Sequence, residues 1–149
     1  MKEYWLKMLA AYLAAIATAT VLGCIGSTQF TLAGLANLGI EVPPGDWVAA
    51  TLHDVLGMGP LYAQIAVVAF VPAFSIAALL LRWVPGPRPF WYAVAGAASI
   101  VAAILIVRAI VGGTVIGGAR TLPGLLVQAL AGAVAGWCFA RLSAGRRPE

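Results

Sequence analysis

Four runs of about 20 residues, at roughly 5–26, 60–82, 90–111 and 122–142, are built almost wholly from apolar and small side chains, and each is long enough as a helix to cross a bilayer's ~30 Å of hydrocarbon. In hydrocarbon every backbone amide must be satisfied internally, which leaves helices or a closed barrel. The runs lack the alternation that barrel strands require. The expected fold is therefore an all-α membrane protein. A single domain covers residues 1–149, with four transmembrane helices and a short helical cap on the outer side, at 27–59, between the first and second spans. With 62% hydrophobic and 9% charged residues, the chain has too little charge to clothe a water-facing surface, since soluble domains carry about 25%.

The cations give the bundle a direction. Lys2, Lys7, Arg82, Arg88, Arg141, Arg146 and Arg147 flank ends that a four-span path puts on one side, whereas Arg108 and Arg120 fall on the other. This seven-to-two asymmetry predicts a multi-pass protein of a bacterial-type inner (plasma) membrane with both termini cytoplasmic. The net charge of +4 then belongs to headgroup contact, with the lipid bilayer as partner and no nucleic acid. The first run reads as an uncleaved helix and not as a signal peptide, because Leu22 suits a cleavage box poorly and further spans follow.

The outer connection holds Glu41, Asp46, Asp54 and the only histidine, His53, and no cation occurs between Lys7 and Arg82. Ser27 or Thr28 is expected to cap a short helix that Gly39 ends. After the Pro43-Pro44-Gly45 break, Asp46 is expected to cap a second one ended by Gly57 and Gly59. Both pieces read as amphipathic helices on the outer face, with a re-entrant loop as the alternative. Pro60 suits the first helical position of the second span. Pro72, in mid-span, frees the carbonyl of Val68 and predicts a kink.

Few residues carry chemistry. In the fourth span Gly124, Gln128, Gly132, Gly136 and Ala140 recur every four residues and so share one face. Such a stripe lets another helix approach closely, whether from the same chain or from a second copy. Arg108, the one intramembrane charge, either snorkels to headgroups, pairs with Asp54 or Asp46 at the same depth, or binds an anion together with Arg120. His53 with Asp46, Asp54 and Glu41 offers carboxylates but no second His or Cys, so no metal site is expected. Cys24 and Cys138 lie in opposite leaflets, beyond the ~7 Å that a disulfide permits between Cα atoms.

No span holds an acid, and general acid–base catalysis lacks its groups. No cofactor and no enzymatic activity are expected. The sequence points to a non-catalytic subunit, an assembly or interaction partner within the membrane, which binds another membrane protein or itself. The alternative is a small homo-oligomeric channel or transporter with Gln64, Gln128, Arg108 and Ser99 along a path between protomers.

Overall fold

A computed structural model describes residues 2–39, 41–112, 119 and 121–144. They form the helices α1 (Lys2–Asn37), α2 (Pro44–Gly57), α3 (Gly59–Leu80), α4 (Arg88–Val111) and α5 (Leu122–Leu142). The four helices other than α2 are long and apolar enough to cross a membrane, and the chain is a multi-pass membrane protein. Around the bundle each span packs against its sequence neighbour, α1 on α3, α3 on α4 and α4 on α5, and α5 closes the ring on α1. The short α2 lies against α1 and touches α3.

Where the helices begin and end departs from expectation in three places. Residues 27–37 do not form a separate cap helix. They continue the first span, so α1 is 36 residues long, about 54 Å against a ~30 Å hydrocarbon core. The hydroxyls of this stretch sit within a continuous helix. Thr28 Oγ1 lies 3.0 Å from the Cys24 carbonyl and Thr31 Oγ1 donates to the Ser27 carbonyl at 2.9 Å, which suits a helix interior. Asp46 does not cap α2. Pro43 is the N-cap residue, Pro44 opens the helix, and Asp46 sits exposed in its first turn, where its charge still complements the helix dipole. Gly59, not Pro60, begins α3, which stays helical through Pro72.

The core has two unlike ends. Away from α2, aromatic rings from all four spans fill the axis. Phe74 of α3 stacks on Phe139 of α5 at 4.5 Å and on Phe70 at 4.8 Å. Tyr92 of α4 meets Phe74 edge-on at 5.5 Å, and Tyr12 of α1 does so at 6.4 Å. Tyr12 also donates to the Val67 carbonyl at 2.7 Å, one residue before the carbonyl that Pro72 deprives of its partner. Below the rings, Arg88 ties the start of α4 to the end of α5, its Nη2 donating to Ser143 Oγ at 3.0 Å while its guanidinium lies 5.3 Å from the Tyr92 ring. Toward α2 the core holds Tyr62, Ile100 and Ile104, and the face that α1 turns to the core is small along its length: Ala11, Ala15, Ala19 and Gly23 recur every four residues, all buried.

Candidate functional site

Two regions hold the polar side chains of the membrane-spanning part: a junction inside the bundle near α2, and a groove on its outside between α3 and α4. The junction is built on Gln128, which is fully buried. Its Nε2 donates to the Gly23 carbonyl of α1 at 3.0 Å, and its Oε1 accepts from the Tyr62 hydroxyl of α3 at 2.7 Å. A backbone carbonyl can only accept, so Gly23 fixes which way the amide faces. Three spans are thereby joined by one side chain. Gly23 is required for this: a Cβ there would come within 2.4 Å of the Tyr62 ring.

One turn toward α2, Thr28 donates to Asp54 Oδ2 at 2.7 Å. This fastens α2 to the extension of α1; at the other end of α2 the Trp47 indole Nε1 donates back to the Val42 carbonyl of the preceding link at 3.2 Å. The partner of Asp54 is thus a hydroxyl on α1. Arg108 is in the last turn of α4, exposed, with no ion pair to Asp54 or Asp46 among the described residues. It sits where a cation complements the helix C-terminus. Arg120 lies outside the described residues. His53 is exposed on α2, turned away from the face that carries Asp54, as neighbouring residues on a helix must be.

The glycine stripe of α5 faces α4 of the same chain. A Cβ on Gly132 would stand 2.4 Å from the Gly96 carbonyl oxygen, and one on Gly136 would stand 2.0 Å from that of Tyr92. Real Cβ atoms never come so near a carbonyl, so the two backbones touch because both helices omit side chains there. Gly124 is buried two stripe positions before Gly132, and its N–H donates to Thr121 Oγ1 at 3.3 Å, capping α5.

Gln64, by contrast, is exposed. It lies on the α3 side of a groove of about 780 Å³ between α3 and α4, whose floor is formed by Ala69, Ala73, Ala95, Ser99 and Ala102. Ser99 bonds back to the Gly96 carbonyl at 3.0 Å. Gln64 makes no side-chain hydrogen bond among the described residues.

The sequence brought Gln64, Gln128, Ser99 and Arg108 into a single list, but the structure distributes them. Gln128 is interior, Gln64 and Ser99 line an external groove, and Arg108 is at a helix end. Tyr62 and Gly23 carry no role in the sequence reading, and Thr28 holds α2 where it was expected to cap a helix. In the sequence, only the four-residue run from Ala11 to Gly23 hints at a tightly packed face on α1. Chemically the junction positions helices: each of its paired polar atoms holds one span to another. No protein-family model, curated protein or solved structure matches the chain.

Proposed function

We propose that the chain is a non-catalytic subunit or assembly partner in a bacterial-type inner membrane, with both termini cytoplasmic and α2 outside, and that the α3/α4 groove is its contact face for a membrane-protein partner or for self-association. The observation that carries this reading is the contrast between two glutamines. Each lies about a turn and a half inside its helix. Gln128 is bonded at both ends, its N–H to Gly23 and its oxygen to Tyr62, whereas Gln64 faces outward with no partner among the described residues. An amide left without partners in hydrocarbon costs free energy that a docked helix would recover. The positive-inside bias supports the orientation. A single exposed histidine, and polar groups engaged in helix packing, favour a structural role over catalysis.

The channel alternative draws on the same residues but fares worse. Gln128 is inside the bundle, and rings from every span plug the axis within one protomer. The test is purification of the tagged chain from its own membrane in mild detergent. A membrane protein should co-purify at fixed stoichiometry, be lost when Ala102→Trp fills the groove, and be retained in Val134→Trp, which alters the exposed face of α5. A chain that emerges alone and passes ions in liposomes would replace this reading with the channel.

A further inference from the structure

We infer that the α3/α4 groove receives a second copy of this chain, the two copies being related by a twofold axis normal to the membrane with their Gln64 amides paired across it. This rests on the groove being a contact face, as proposed above, and adds what occupies it.

Two observations select a helix, and a third selects one from this same chain. The first is length. The groove runs from Leu61 to Leu80 along α3, about 28 Å at 1.5 Å per residue. That is the whole hydrocarbon thickness, whereas one lipid chain fills a single leaflet of about half the ~30 Å core. A groove continuous through both leaflets is long enough to take a whole transmembrane helix. The second is its floor of Ala69, Ala73, Ala95, Ser99 and Ala102. Small residues give a helix backbone close approach, the main source of helix association in a medium with no hydrophobic drive between spans.

The third is Gln64 itself. An amide carries a donor and an acceptor, so it is its own complement. Any axis normal to the membrane brings identical residues together at identical depth, and the closed twofold arrangement is the commonest symmetry. Gln64 therefore meets the one side chain guaranteed to be at its level, another Gln64. Val68 and Pro72 continue the same edge of α3 inward, so α3 of each copy lies along the groove of the other.

The test uses the full chain with Cys138→Ala, reconstituted in lipid vesicles at graded protein density. Gln64→Cys should form a disulfide-linked dimer on mild oxidation, and Leu126→Cys, at similar depth on the exposed face of α5, should not. In photobleaching counts the parent chain should be dimeric and Ala98→Trp, in the groove, monomeric, with Val134→Trp still dimeric. Gln64→Leu should weaken the dimer about threefold to thirtyfold, the range for a hydrogen bond between membrane helices.

A chain monomeric at every density overturns the inference, as does a dimer broken by Val134→Trp and untouched by Ala98→Trp. A monomer whose groove variant still sheds a foreign membrane protein overturns self-association alone. A monomer that sheds nothing and retains lipid in the groove overturns both this inference and the contact-face reading.

Discussion

Gly132→Ala is the most informative single substitution in the chain, because a methyl group there has nowhere to go. Its Cβ would lie 2.4 Å from the Gly96 carbonyl oxygen, 2.9 Å from the Gly96 carbonyl carbon and 2.9 Å from Ile100 Cγ1. Ordinary contact needs about 3.4 Å or more, so α4 and α5 must part by about 1 Å, and backbone cannot rotate aside as a side chain can. The separation is shared by Gly96 and Gly136, which touch the same seam. Overpacking of this kind costs about 1–3 kcal/mol.

Two other glycines calibrate it. At Gly26 the obstacle is the Cγ1 methyl of Val127, the end of a side chain, at 2.5 Å; it can turn, and Gly26→Ala should cost less. At Gly34, inside α1, nothing lies within 4 Å, so alanine should be neutral or gain up to about 1 kcal/mol from helix propensity. The assay is reversible unfolding in mixed micelles, with the three variants measured against the parent. Equal losses at Gly132 and Gly34 would refute the claim that backbone contact between α4 and α5 is the source.

Further outcomes follow from the polar contacts. Tyr62→Phe and Gln128→Leu should each destabilise, and the double variant should lose less than their sum, with a coupling of about 0.6–2 kcal/mol; a coupling of zero would place the two groups out of contact. Thr28→Val should loosen α2 by about 1 kcal/mol, the net worth of one hydrogen bond, read as faster amide exchange in α2 with the spans unchanged. Arg108→Ala and Asp54→Ala should be additive within about 0.5 kcal/mol, since these residues make no contact among the described residues. A membrane-impermeant thiol reagent applied to intact cells should label Ala49→Cys on the exposed face of α2 and spare Cys138; the reverse pattern would invert the orientation.

The spans were legible because hydrocarbon leaves so few options: an uncharged stretch of about 20 residues has no other stable arrangement. The α5 stripe was legible for a related reason, since Gly132 and Gly136 at four-residue spacing must share a face. What a one-dimensional pattern does not hold is rotation of each helix about its axis. Depth alone suggested Arg108 as the partner of Asp54. The ring of spans sets α4 across the bundle from α1, on which α2 rests, and a hydroxyl of α1 takes the acid instead. The end of the first span was ambiguous for a local reason. Ser27 or Thr28 can cap a new helix or sit within the old one, and here Thr28 lies inside α1, near the Cys24 carbonyl and donating to Asp54.

The same distinction bears on which surface is left for a partner. The chain is rich in small residues, and several glycines are consumed inside it: Gly132 and Gly136 by α4, Gly23 by Tyr62, Gly26 by Val127. Small residues that already touch backbone of their own chain cannot also admit a neighbour. The alanines of the α3/α4 groove are different, because no helix of this chain covers them. A stripe seen in sequence marks where a helix can come close, and the fold determines whether that place is already taken. Here the glycine stripe is taken and the alanine groove is open, so association, if it follows close packing, belongs to α3 and α4 and leaves α5 facing lipid.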